Sequence, residues 1–246
     1  MEENFFSPIA KEYARFRPEY PDALFIYLAS ISPAKQLAWD CATGTGQAAT
    51  GLVGRFEQVV ATDIGDELLA EAPRHERIEY RNAKALASGL ANGCVDLVTV
   101  ANAMHWFHGE AFEREVRRVL KPGGVIAAWS YAHSAITPEV DRLVRKLHDE
   151  IVDPYWIGPN RIVEQGYKHL YFPFVPIQPP PFVMISQMDL AALEGYMRTW
   201  SASTKYRSDR GVDPVDLVHE ELLEAWGPPD SVRDVHWQLN MRIGTV

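Results

Sequence analysis

Cysteine is nearly absent from this chain. Cys41 and Cys94 are the two in 246 residues. Two thiols build no disulfide framework and no zinc-ligand set, so no metal centre is expected, and their scarcity fits a reducing cytosol. Long apolar runs are missing too. None approaches the roughly 20 residues that a membrane-spanning helix needs. Positive charge is the minority sign: 24 Lys and Arg face 33 Asp and Glu, a formal net charge of −9. That balance argues against a nucleic-acid backbone or an anionic membrane as partner, though it leaves room for a local basic pocket. The opening Met1-Glu2-Glu3-Asn4 is acidic and leads into no signal-like apolar core, so a cytoplasmic protein is expected. Internal repeats and low-complexity tails are also lacking. What remains is 47% hydrophobic, enough to bury a full core in one domain spanning residues 1–246.

The most informative stretch is Leu37-Ala38-Trp39-Asp40-Cys41-Ala42-Thr43-Gly44-Thr45-Gly46-Gln47. An apolar run ends in an aspartate, then comes a Gly-rich turn, then a helical pattern over 47–56. This is the strand–loop–helix unit that opens a nucleotide-binding α/β sheet. Gly44 and Gly46 permit a tight turn and close approach of a ligand. Val59-Val60 leads to Thr62-Asp63, a second carboxylate at a second strand end, placed to bind ribose hydroxyls. Two ligands compete for such a site. Gly44 to Ala49 also fits the loose G-x-G-x-x-G/A pattern of NAD enzymes. A carboxylate at the mouth of the loop would repel a pyrophosphate dianion. S-adenosylmethionine (SAM) has no phosphate and carries an ammonium and a sulfonium, which Asp40 could meet. SAM is therefore favoured.

Taken in order, residues 1–20 hold the start of Tyr13 to Pro21, where aromatic and basic side chains alternate and prolines are expected to stop any long helix; the segment reads equally as an arm over the ligand edge of the sheet or as a solvated arm packed by its aromatics. Residues 22–31 read as a helix. Strands are expected near 36–41, 58–63, 78–81, 95–100 and 125–129, with helices near 67–72 and 112–120 between them. That regularity points to a parallel sheet. The pattern then changes. Residues 138–151 form an amphipathic helix with Val140, Leu143, Val144 and Leu147 inward. Residues 153–181 are rich in Pro and aromatics and read as an irregular insertion. Residues 182–185 read as strand six, 190–200 and 214–226 as helices around a polar loop (201–213), and 232–243 as a final edge strand.

Several segments together resemble class I SAM-dependent methyltransferases of the type-11 group. They are Asp40 to Gly46, Asp63, Ala103-x-His105-Trp106-Phe107 and Arg118-Val119-Leu120-Lys121-Pro122-Gly123-Gly124. Tyr13 to Pro21, Thr199-Trp200-Ser201 and Ala225-Trp226-Gly227 are further similar to the trans-aconitate methyltransferase-like branch. The resemblance implies a Rossmann-like, seven-stranded, mostly parallel sheet with helices on both faces and an antiparallel last strand. Insertions would occupy 132–181 and 187–230, and residues 1–21 would form an N-terminal lid. Asp40 and the Gly loop would hold the methionine part of SAM, Asp63 the ribose, and the Ala83 region the adenine. The candidate donor-binding set is Asp40, Ala42, Thr43, Gly44, Gly46, Gln47, Asp63, Ile64, Ala83, Lys84, Asn102 and Ala103. One position departs from the family pattern: Ala42 stands where the loop has its first glycine. Alanine is comfortable there if φ is negative. A positive φ would bear on SAM affinity.

Methyl transfer from a sulfonium needs mainly orientation and exclusion of water. A base is needed only if the acceptor carries a proton; a carboxylate acceptor needs none. His105 is the candidate base or hydrogen-bond donor, against the reading that it merely packs beside Trp106. Trp106 and Phe107 are candidate walls near the sulfonium. Tyr13, Arg15 and Arg17 are candidate lid contacts: in an extended stretch both arginines would face one side, towards a carboxylate of the donor or acceptor. Tyr155, Trp156 and Trp200 are insertion aromatics that could shape the acceptor pocket, with core packing the favoured reading; Met104 is assigned to the core. The leading expectation is a methyltransferase acting on a small molecule, with S-adenosylhomocysteine as by-product. An NAD(P)-dependent oxidoreductase and a non-catalytic SAM- or nucleoside-binding module remain as alternatives.

Overall fold

The structure is a computed structural model, and residues 9–246 are described. Strands β1 (Leu37–Cys41), β2 (Gln58–Asp63), β3 (Ile78–Asn82), β4 (Val95–Ala101) and β5 (Leu120–Ser130) are parallel neighbours. Helices α3 (Gln47–Leu52), α4 (Asp66–Glu71) and α5 (Glu110–Val119) alternate with them. β1, β2 and β4 are near-continuous apolar runs because both sheet faces are covered. The full order is β3-β2-β1-β4-β5-β10-β7, with β10 (Asn240–Thr245) antiparallel to both neighbours and β7 (Val175–Ile177) at the edge. This is the expected seven-stranded Rossmann-like sheet, six strands parallel and one antiparallel. The strand order reverses between β1 and β4, so a crevice opens at their C-terminal ends. Asp40, Asp63 and Asn102 all lie at that edge.

The Lys-Pro-Gly-Gly turn has a structural task. Lys121 Nζ lies 2.7 Å from Oδ1 of buried Asp96, whose Oδ2 accepts from the backbone of Gln36 and Leu37. The turn thus ties the start of β5 to the entry of β1, on the edge of the sheet opposite the crevice.

Several expectations are corrected in the second half of the chain. Strand six is Val175–Ile177, not 182–185. β8 (Val183–Met188) instead joins a separate three-stranded sheet with β6 (Ser134–Ala135) and β9 (Arg233–Gln238), in the order β6-β9-β8. The final strand expected over 232–243 is two strands: β9 in this small sheet, then β10 inside the main one. The polar loop expected over 201–213 is mostly helix α9 (Ser201–Arg210). It carries no apolar stripe beyond its first turn, and Gly211 closes it with φ +71°. Helices α8 (Leu190–Arg198) and α10 (His219–Trp226) flank it, α10 being shorter than expected. Helix α6 (Pro138–Arg145) buries Val140, Leu143 and Val144 as expected, then widens into a π-helical turn over Lys146–Ile151 that buries Leu147. A short α7 (Asn160–Glu164) follows.

The N-terminal arm also differs. Ala10–Phe16 forms helix α1 ahead of α2 (Asp22–Ile31), because Pro18 and Pro21 fall after its last turn. Arg17, next to Pro18, is already extended, with ψ 135°. The Phe16 ring seats on Gly195 of α8, where a Cβ would lie 2.5 Å from a ring carbon. Residues 1–8 of the expected lid lie outside the described residues. Among the described residues, no helix is long and apolar enough to cross a membrane.

Candidate active site

A cavity of about 540 Å³ opens at the β1/β4 crevice. Its size is that of a small-molecule pocket. Its floor comes from the first half of the chain: Ala42, Thr43, Gly44 and Gln47 from the β1–α3 loop, Asp63 and Ile64 after β2, Ala83 after β3, and Asn102 and Ala103 after β4. Three members of the expected donor set do not line the cavity. Lys84 is passed over in favour of Ala85 and Leu86. Gly46 lies under the loop with φ +84°, where a Cβ would stand 2.6 Å from the Tyr80 hydroxyl. Asp40 is fully buried.

The two carboxylates are held differently. Asp40 accepts from Thr43 Oγ1 at 2.5 Å and from Thr99 Oγ1 at 2.7 Å. Burial dominates over these two hydrogen bonds and pushes its carboxyl up to about 6. Asp63 borders the cavity. Its Oδ2 accepts from Gly44 N at 2.8 Å and its Oδ1 from Gly65 N at 2.9 Å. Burial raises its carboxyl too, against the pull of these amides. Asp63 therefore anchors the Gly loop to the end of β2 while one side of it faces the cavity.

Ala42 has φ +56°, the left-handed region that alanine normally avoids. The condition under which alanine would be comfortable at this loop position is not met. Asn102 is also left-handed, φ +50°, and its Oδ1 is buried without a hydrogen-bond partner.

Of the expected lid residues, Tyr13 and Arg17 line the cavity and Arg15 does not. Arg15 is exposed and lies over the Phe16 ring. The helix explains this: residues two apart diverge on a helix, whereas a strand would have aligned them. Arg17 donates to Tyr131 Oη at 3.2 Å and to the Thr199 carbonyl at 3.1 Å. Its guanidinium lies over the rings of Tyr13, 4.6 Å away, and Tyr196, 5.4 Å away.

Trp106, Phe107 and His105 also line the cavity. His105 is buried, with Nδ1 3.0 Å from the Tyr167 hydroxyl. Burial, and secondarily His108, pull its imidazole down to about 3. It is neutral near pH 7 and a weak proton acceptor, which suits a fixed wall better than a base. Met104 is core, as expected.

The insertion supplies the rest of the wall. Trp156 and Trp200 both pack with the core and line the cavity, while the Tyr155 hydroxyl bonds Asp209 and Arg210. His148 was not singled out from sequence. It sits on the π-helical turn, lines the cavity, and stacks near Trp156 at 4.7 Å and Trp200 at 5.4 Å. The adjacent pair His148-Asp149 ahead of a tryptophan-bearing insertion was the available signal.

A Gly-rich loop, a carboxylate at the end of β2 and a cavity at the switch point of this seven-stranded sheet fit a class I SAM-dependent methyltransferase. Comparison with known proteins agrees. Residues 39–128 match the methyltransferase domain model of the type-11 group. A protein of Dictyostelium discoideum named as a methyltransferase is 30% identical over 229 residues, covering 92% of this chain and 87% of that one. A structure from Anaeromyxobacter dehalogenans, described as a type II methyltransferase, superposes with a TM-score of 0.86 at 40% identity. It covers 94% of this chain and 98% of its own. An antibiotic-pathway methyltransferase structure from Anabaena variabilis shares the fold, with a TM-score of 0.54 at 14% identity. The chain belongs to the SAM-dependent methyltransferase family, and SAM is its cofactor.

The residues present fit that cofactor. Three buried polar atoms on the cavity residues lack partners: a donor, Arg17 Nε, and two acceptors, Asn102 Oδ1 and Asn160 Oδ1. A buried donor and buried acceptors left open beside one cavity suit a zwitterion, the form of an amino-acid end.

Proposed function

We propose that the chain transfers a methyl group from SAM to a small-molecule acceptor, with Arg17 holding the carboxylate of the donor's methionine end. The observation that carries this is Arg17 itself. Its guanidinium is always charged, and no acid pairs with it among the described residues. A cation withdrawn from water without a counter-charge is destabilising until an anion meets it. The planar fork suits a carboxylate through two parallel hydrogen bonds. Tyr13, stacked against Arg17, lines the same cavity as Asp63, and we read the anion as the donor's carboxylate. Donor binding would draw on Asp63 for the ribose hydroxyls and on Asn102 for the ammonium. SAM supplies the activated methyl. The chain supplies orientation, and α1 closes the site as a lid through the Phe16–Gly195 contact. The acceptor would occupy the end walled by Trp156 and Trp200.

Arg17→Lys keeps the charge and loses the fork. Charged hydrogen bonds of about 1.5–3 kcal/mol predict a loss of SAM affinity of at least tenfold, readable by calorimetry. A raised acceptor KM with unchanged SAM affinity would move the carboxylate to the acceptor, as the trans-aconitate resemblance implies. No change in either would remove Arg17 from the mechanism.

A further inference from the structure

The cavity wall beside Trp156 and Trp200 includes His148, whose neighbour Asp149 is exposed and lies off the cavity lining. His148 side chain is 13% exposed, and its Nδ1 lies 2.6 Å from Asp149 Oδ1. With Nδ1 engaged, Nε2 is the ring nitrogen left for a ligand. The imidazole is framed by Trp156 and Trp200, and Trp156 Nε1 donates to the His148 carbonyl at 3.2 Å. The backbone here is a π-helical turn, an irregularity that often marks functional positions because it re-aims side chains that a regular helix would present elsewhere. A carboxylate next to one nitrogen of a histidine fixes its tautomer and stabilises the imidazolium, which is the arrangement of a general base.

Other groups near His148 do not take this part. The His133 ring is 4.9 Å away, exposed, and its imidazole is lowered by partial burial and then by His148. Glu164 of α7 lines the same cavity but lies 3.3 Å from Arg161. His105 has Nδ1 against Tyr167 and is held neutral. His133, His148 and Asp149 also bring their ligating atoms within 4.8 Å of one another. That is open for a metal: bonds of about 2.0–2.1 Å put tetrahedral ligand atoms about 3.4 Å apart, and His148 Nδ1 is already engaged by Asp149.

We propose that His148 is the general base for a flat, hydroxyl-bearing aromatic acceptor, with Asp149 as its positioning residue. This rests on the methyltransferase reading and names the acceptor class within it. A carboxylate acceptor carries no proton near pH 7 and would leave this pair without a task. The tryptophan faces suit a planar ring. In the step, the acceptor oxygen forms the bond to the methyl carbon while its proton passes to His148 Nε2. The carbon–sulfur bond breaks with its electron pair on sulfur, leaving a neutral thioether. The imidazolium, facing Asp149, then returns its proton to solvent.

The test uses the full-length protein with SAM and a series of phenols of graded acidity. At about pH 8, 4-nitrophenol is largely ionised, whereas 4-methylphenol keeps its proton like a tyrosine. A base matters for the second and not the first. His148→Gln should lower kcat for 4-methylphenol by about 10²-fold or more and for 4-nitrophenol by less than about tenfold. Calorimetry should show unchanged SAM affinity, and unchanged affinity of the S-adenosylhomocysteine complex for 4-methylphenol. Asp149→Asn should lower the kcat for 4-methylphenol less than His148→Gln does and leave that for 4-nitrophenol nearly unchanged, a split between the two phenols that lost packing would not produce. An equal loss on both phenols in either variant, or activity that depends on added zinc, would overturn the assignment. Failure of the wild-type complex to bind or methylate any phenol, with SAM binding intact, would overturn the acceptor class. Failure to bind SAM would instead overturn the proposed function beneath it.

Discussion

Replacing Ala42 by glycine should stabilise the protein. Ala42 holds φ +56° in the loop between β1 and α3, where an L side chain crowds its own carbonyl. That conformation is unfavourable by about 1–2 kcal/mol for a residue with a Cβ. Glycine removes the penalty but gives the unfolded chain more freedom, which offsets about 0.4–1 kcal/mol. The net expectation is a gain of roughly 0.5–1 kcal/mol. In a chain of this length that is a rise of about 1–4 °C in Tm. The substitution deletes one methyl from the cavity wall and alters no hydrogen bond, so SAM affinity should hold or improve. Denaturant unfolding at fixed pH, with calorimetry for SAM, measures both. A loss of stability in Ala42→Gly would refute the reasoning, because it would mean that residue 42 rests at negative φ.

The remaining predictions concern buried titrating groups. The Asp40 carboxyl, ordinarily near 3.8, is pushed up to about 6, so folding disfavours its charge. Its contribution is full below the unfolded value and is lost as pH rises through about 6. Asp40→Asn should therefore gain stability relative to wild type between pH 4 and pH 7, by up to about 1.4 kcal/mol per pH unit; a difference that is flat with pH would refute this. His105, pulled down from 6.5 to about 3, has the opposite sense. Its contribution is full above about pH 6.5 and is lost as pH falls towards 3. Wild type should lose more stability than His105→Gln between pH 6.5 and pH 4, and the variant should keep kcat within about tenfold of wild type; equal acid sensitivity would place His105 in water.

The donor half was legible because it depends on the order of the chain. A strand, a turn and a helix are contiguous, so Asp40, Gly44 and Asp63 could be placed at strand ends by counting residues. The rest of the cavity wall is assembled from segments far apart in sequence, and there the local signals mislead. Pro18 and Pro21 mark the end of α1, not its absence, since the proline rule forbids a residue inside a helix and permits it after one. Helix α9 buries little beyond Ser201, Ala202 and Ser203, so no apolar stripe announces it. Strand β7 is three residues long, with Pro176 at its centre; an edge position tolerates the missing amide. His148 shows the limit most clearly. By helical spacing it follows Leu147 and belongs to the flank of an amphipathic helix. A widened turn at Lys146–Ile151 changes that spacing and sets the ring between Trp156 and Trp200, which reach it from an irregular segment and from the end of α8. Periodicity presumes a constant twist per residue. Where the backbone abandons that twist, the assignment of a side chain to core or surface fails, as it does for His148.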